Sequence, residues 1–149
     1  YSQLLGLDYC QLHGDESLDY VQTIKAAGLK IIKVFRIGKA GIQKQELGAF
    51  DGLCDYFLFD TNTKNYGGSG KKFDWAIINQ YKGKTPFILS GGIGPEDAAL
   101  IEQVDHPSFA GIDLNSRFES EPGVKNTDSL NQFFTGVSYI FHIIFSSFL

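Results

Sequence analysis

The chain reads as an α/β protein built on a parallel sheet. Two observations predict this. Short apolar runs alternate with stretches of helical periodicity. They do so about five times in about 130 residues, the spacing of right-handed crossovers between parallel strands. Tyr9–Leu12 is the first expected strand. Residues 17–27 follow as a helix, with Leu18, Val21 and Ile24 on one face and Gly28 as its stop. Residues 31–35 form the next strand and residues 42–50 a weaker helix. The buried-looking run 56–59 is a strand, 75–81 a short helix and 86–89 a strand. Residues 95–104 are a helix with Pro95 at its first position and Glu96 and Asp97 in its first turn. Residues 109–114 are the last strand of this alternation, and a further helix starts near Asp128.

Two architectures accommodate five βα units. One is an open, doubly wound sheet and the other is part of a (β/α)8 barrel. A complete barrel takes about 200 residues or more, whereas this chain has 149. If the sequence is barrel sequence, about three N-terminal units are expected ahead of it, and five units alone would leave open sheet edges. The chain opens on Tyr1 and has no methionine, so residues before Tyr1 are expected. The segment 136–149 differs from the rest because it has no Asp, Glu, Lys or Arg. It is too short to span a membrane. Its plainest reading is an apolar final helix, although its Ile and Phe content is strand-like. The alternative is sequence foreign to the preceding domain.

A net charge of −4 and a hydrophobic share of 43% describe an ordinary water-soluble domain. They argue against a nucleic-acid or anionic-membrane surface. Cys10 and Cys54 have no metal-binding spacing, and both read as small buried apolar residues in a reduced, cytoplasmic setting. The start of the chain lacks the basic region and long apolar core of a signal peptide. The sequence supports no metal site.

The segment from Phe59 to Trp75 carries the strongest chemical signal. A strand delivers Asp60 at its C-terminal end, a long polar loop with Gly67-Gly68-Ser69-Gly70 follows, and then a helix begins. An α/β enzyme places an acid and a mobile cover in this way. A carboxyl at the end of an apolar strand tends to be desolvated, which lets it hold a proton and act as a general acid. The plainer alternative is an Asp capping the next turn. The glycine loop lacks the P-loop spacing. It offers exposed amides from Gly68, Ser69 and Gly70, or else serves as a flexible connector. Ser90-Gly91-Gly92-Ile93-Gly94-Pro95 links a strand to a helix, and Asp113-Leu114-Asn115-Ser116-Arg117 follows the next strand. Two such polar turns after consecutive strands suit a phosphate, with Gly91, Gly92, Asp113, Asn115 and Ser116 as the candidates. Arg117 adds a charge that either crowds or strengthens the phosphate. His13 ends a strand and could meet a ligand at the same rim, or be structural. Arg36 divides evenly between substrate contact and surface charge.

Four segments resemble the phosphoribosylanthranilate isomerase family. They are residues 11–16 (Gln-Leu-His-Gly-Asp-Glu), Asp60-Thr61 through Gly67-Gly68-Ser69-Gly70 to Phe73-Asp74-Trp75, Leu89-Ser90-Gly91-Gly92-Ile93 with Pro95-Glu96, and Gly111-Ile112-Asp113 through Ser116 and Glu119 to Pro122-Gly123-Val124-Lys125. The resemblance covers about residues 5–135. It implies a (β/α)8 barrel of which residues 1–135 are the part from about strand four to helix eight. It implies an Amadori rearrangement of N-(5-phosphoribosyl)anthranilate in tryptophan biosynthesis, on a phosphosugar substrate and without metal or organic cofactor. It implies that Asp60 protonates the furanose oxygen while a Cys near the family's N-terminus removes the C2 proton. Neither Cys10 nor Cys54 stands in that Cys-Gly context, so neither inherits the role. Arg36 is not equated with the family's anthranilate-binding Arg. Asn115-Ser116-Arg117-Phe118 departs from the family's more usual Ser-Ser-Gly-Val. The expectation is an isomerase portion that is inactive alone. The alternative is a non-catalytic phosphosugar-binding half-barrel that assembles with an N-terminal partner fragment. Indole-glycerol-phosphate synthase, another phosphate-binding barrel, would leave the Asp60 to Trp75 segment unexplained.

Overall fold

A computed structural model describes residues 6–38, 41–42, 44–60, 75–137 and 142–144. The strands β1 (Tyr9–Leu12), β2 (Lys30–Arg36), β3 (Tyr56–Asp60), β4 (Phe87–Ser90) and β5 (Phe109–Asp113) lie side by side in chain order, every neighbouring pair parallel. Parallel pairing requires a crossover between consecutive strands. Helix α1 (Leu18–Ala26), helix α2 (Lys44–Phe50) and a 3-10 segment (Trp75–Gln80) supply part of three of them. A 3-10 turn (Pro95–Asp97) running into α3 (Ala98–Ile101) lies in the fourth. Helix α4 (Thr127–Thr135) follows β5.

Local chemistry sets the boundaries. The Ser17 hydroxyl accepts from the Tyr20 amide at the start of α1, and the Asn126 side chain accepts from the Ser129 amide at the start of α4. Beyond α1, Gly28 turns the chain with φ +88. The Asp55 carboxylate accepts from the Ile31 amide at 2.8 Å, which fixes the entry of β2 against the loop before β3.

The strands carry buried apolar residues on both faces. One face carries Ile31, Phe57, Phe59, Phe87, Leu89 and Ile112, which pack with Val21, Ile101 and Phe133 of the helices. The other carries the smaller cluster Ile32, Val34, Leu58 and Ile88. Phe59 stacks on Phe87 at 4.9 Å between centroids, and Tyr81 meets both rings edge-on. Asp51, just beyond α2, accepts from the Lys84 and Thr85 amides and from the Thr85 hydroxyl, so it fastens the approach to β4.

Three expectations change. The helix expected over 95–104 is a 3-10 turn joined to a single α-turn. Its Asp97 carboxylate turns back to the Gly94 amide at 2.8 Å and is buried there. The helix expected over 75–81 is 3-10 throughout its described length. The apolar tail does not form the final helix of its plainest reading where it is described. Instead β8 (His142–Ile144) pairs parallel with β5 on the side away from β4, in line with its β-branched composition. An antiparallel ribbon of β6 (Glu119–Glu121) and β7 (Val124–Lys125) was not anticipated. The signal was present in Pro122-Gly123, with Gly123 at φ +80, because this pair suits the centre of a tight turn.

Burial pushes the Asp51 carboxyl up, but hydrogen bonds from Thr85 and Lys84 outweigh it and hold the carboxyl below its ordinary value. A depressed native pKa adds stability above the unfolded value of about 3.9, and that stability is lost as pH falls through the native value. Asp51→Ala is therefore expected to cost about 1–3 kcal/mol at neutral pH in a denaturant melt, with a shallower decline in acid than the parent. Cys54 is buried, and burial pushes its thiol up to about 11. Cys10 is partly buried and its thiol is raised as well, by burial and then by Glu16. A thiol-titration reagent at pH 8 should find at most one reactive cysteine in the folded chain and both after unfolding.

Candidate active site

The C-terminal ends of the parallel strands share one rim, and a cavity of about 410 Å³ opens there. Of the candidates read from the sequence, His13, Asp60, Gly91, Gly92, Asp113, Asn115 and Ser116 all line it. Asp60 is the last residue of β3, and His13 directly follows β1. The His13 Nε2 atom lies 3.9 Å from Asp60 Oδ2, and the two side chains are 32% and 20% exposed. This pair sits half-sheltered at the mouth, where a ligand can reach both groups.

The floor is fixed by Asp113 at the end of β5. Its Oδ2 accepts from the Ser90 hydroxyl at the end of β4 and from the Asn115 side-chain amide, each at 2.9 Å. Asp113 and Ser90 are both buried, so these charge-assisted bonds hold the two polar turns at one spacing. The turn after β4 bends through Gly91 and Gly92, with φ +93 and +71. Side chains rarely adopt that region, and here it leaves the turn with no side-chain wall over its backbone. Ser116 opens a 3-10 turn (Ser116–Phe118) after the neighbouring strand β5.

Arg117 also lines the cavity. Its guanidinium pairs with Glu96 and lies across Gly94, where a Cβ would come 2.5 Å from Nε. Arg117 thus ties the β4 turn to the β5 turn. Lys125 of β7 reaches the cavity too, donating to the Leu114 carbonyl at 3.1 Å and to Glu119 at 2.7 Å. Lys125 holds the Glu119 carboxyl below its ordinary value, with help from the Gly123 amide. Gln11 joins the lining from β1.

Not every candidate converges. Arg36 stands beside Asp60 in the β2–β3 register, yet it is exposed and does not line the cavity. Gly68, Ser69 and Gly70 lie outside the described residues. Cys10 and Cys54 belong to the helix-facing core and not to the cavity. Ser90 and Lys125 were not singled out from the sequence. Ser90 had a signal, as a hydroxyl ending an otherwise apolar strand, whereas Lys125 reaches the site through a ribbon that was not foreseen. Among the described residues no three His, Cys, Asp or Glu side chains are grouped to hold a metal ion, and no helix is long and apolar enough to cross a membrane.

Comparison with known proteins fits this geometry. The profile of the family described as N-(5'-phosphoribosyl)anthranilate (PRA) isomerase matches residues 1–136. The isomerase of that name from Parabacteroides distasonis is 54% identical over 128 residues, covering 85% of this chain and 57% of the relative. The one from Phocaeicola vulgatus is 48% identical, covering 89% of this chain and 64% of the relative. The chain therefore spans about three fifths of the length of these relatives. Among solved structures, a monomeric form of the dimeric Thermotoga maritima phosphoribosylanthranilate isomerase superposes with a TM-score of 0.68 at 24% identity, covering 93% of this chain and 64% of that one. The Thermococcus kodakaraensis enzyme gives 0.65 at 27% identity, covering 92% and 66%. The parallel sheet is part of a (β/α)8 barrel, and the chain belongs to the N-(5'-phosphoribosyl)anthranilate isomerase family.

Proposed function

We propose that this chain carries the general-acid and phosphate-binding portion of a phosphoribosylanthranilate isomerase of tryptophan biosynthesis, corresponding to about strand four through helix eight of the barrel. The observation that supports this most is the shared cavity. The Asp60 carboxyl, His13, and the Gly91-Gly92 and Asn115-Ser116 turns all line it, and Asp60 is the register partner of Ser90, the residue that leads into Gly91. Its volume of about 410 Å³ falls within the usual range of small-molecule pockets. Amides of the two turns would receive the phosphate of the phosphosugar, and Arg117 and Lys125, each paired with a carboxylate, line the same cavity.

With the phosphate anchored, the sugar ring would extend toward Asp60. Proton transfer from Asp60 to the furanose oxygen breaks the C1–O bond and leaves an iminium at C1. Removal of the C2 proton by a base then yields the enolamine, which becomes the ketose by tautomerisation. In the family the base is a cysteine of the N-terminal segment, and neither Cys10 nor Cys54 occupies such a place. The chain spans 57% and 64% of two relatives, so the reading assigns the base to N-terminal units and expects no turnover by these 149 residues alone. Gly68, Ser69 and Gly70 are assigned to a cover over the ligand on resemblance only.

A second reading is favoured by one observation: both phosphate turns and their Asp113 bridge are complete within this chain. That suits a non-catalytic phosphosugar-binding half-barrel, which pairs with an N-terminal fragment through β1, the edge strand among the described residues.

The two are separated by following the loss of phosphoribosylanthranilate fluorescence. The chain is assayed alone and then mixed with the N-terminal βα units of a related isomerase. Activity is expected only in the mixture, and Asp60→Asn should lower it by about 100-fold or more. Turnover by the chain alone would refute the assignment of the base. No activity in either, with inorganic phosphate still raising the melting temperature, would favour the half-barrel.

A further inference from the structure

Lys33 is a buried charge that the proposed chemistry does not use. It sits in the middle of the apolar strand β2, on the face turned toward the helices, with its side chain 5% exposed. Its ammonium lies 5.6 Å from the Phe35 ring centroid and 5.8 Å from that of Phe50. Placing an ammonium there carries a desolvation cost that a leucine or methionine would not. The bonds it makes point to the reason. Nζ donates to the Gly14 carbonyl at 2.5 Å and to Glu16 Oε2 at 2.8 Å. The other Glu16 oxygen accepts from the Gly14 amide at 2.9 Å. The peptide groups on both sides of Gly14 are therefore held, one by Glu16 and one by Lys33.

Gly14 directly follows His13. Leu12 and Lys33 are register partners in the β1–β2 ladder, so the clamp closes where the chain leaves the sheet. A Cβ at this position would come 3.1 Å from Glu16 Oε1, so Glu16 would have to give by a few tenths of an ångström. Burial pushes the Glu16 carboxyl up, but the bonds from Lys33 and Gly14 outweigh it and keep the carboxylate charged. The clamp lies on the helix side of the sheet, while His13 projects into the cavity toward Asp60.

We propose that Lys33 is a positioning residue: with Glu16 it locks the peptide after His13 and thereby sets the His13 imidazole beside the Asp60 carboxyl. Lys33 touches neither substrate nor reacting atoms. Its consequence for turnover rests on the isomerase reading above, but the placement of His13 does not.

The test reads the His13–Asp60 proximity directly, in the full chain. The ring nitrogens of labelled histidine are followed by NMR with and without Asp60→Asn, in the parent, in Lys33→Met and in Glu16→Ala. Methionine fills the space of the lysine stem, and Glu16 keeps partial access to water, so Lys33→Met should still fold. The expected result is that Asp60→Asn shifts the His13 ring signals in the parent and no longer does so in either variant. An undiminished response in both variants would overturn the proposal. If Lys33→Met does not fold, Glu16→Ala decides by the same criterion. In the complemented enzyme, Lys33→Met should lower kcat by about 10-fold or more and leave KM within about twofold, because the phosphate turns lie on β4 and β5. Absence of any activity in the complemented parent would fault the isomerase reading and leave the NMR result standing.

Discussion

Parallel hydrogen bonding between consecutive strands is the constraint on which this molecule depends. Because β1 to β5 all run one way, every strand delivers its last residue to the same rim. His13, Asp60, Ser90 and Asp113 come together for this reason, although they are spread over a hundred residues of chain. The same constraint demands a crossover after each strand, and those crossovers cover one face of the sheet. The rings of Phe57, Phe59, Phe87 and Tyr81 form the contact layer. Their packing holds the ladder in register, and the register sets the site.

Polar groups then refine what the ladder places coarsely. Asp113 spans two strand ends by accepting from Ser90 and from Asn115. Asp97 closes the turn that begins at Gly94, and Arg117 with Glu96 ties that turn to the next one. On the opposite side the Lys33–Glu16 clamp holds the loop that carries His13. Asp113, Asp97 and Lys33 are buried, so a low dielectric strengthens their satisfied contacts and penalises broken ones, whereas the exposed Arg117–Glu96 pair is screened by water. The rim is thus stiffened by polar contacts above a sheet that is itself held by apolar packing.

Much of this was legible in the sequence because apolar runs and turn glycines are local signals. The run 56–59 and the Gly91-Gly92 turn announce their strand end and their bend without outside help. What was not legible depends on partners distant in sequence. Lys33 reads as a polar interruption of an apolar strand until Gly14 and Glu16 are folded against it. The stretch 95–104 has helical periodicity, yet it folds as a 3-10 turn, capped by Asp97 on the Gly94 amide, and a single α-turn. Arg36 shows the limit of reasoning from strand ends, since it shares a register with Asp60 without sharing its cavity. The tail's Ile and Phe content pointed to a strand, but only tertiary pairing could say that β8 would lie along β5.

The central claim is that the rim at the ends of β3, β4 and β5 receives a phosphosugar. The measurement that tests it most directly is an amide-resolved NMR titration of the chain with ribose 5-phosphate. The account predicts saturable shifts at Gly91, Gly92, Asn115 and Ser116, with smaller ones at Asp60 and His13, and none at Asp51, Lys84 or Thr85 at the opposite end of the sheet. Shifts that are absent, or that are no larger at the rim than at the far end, would contradict it.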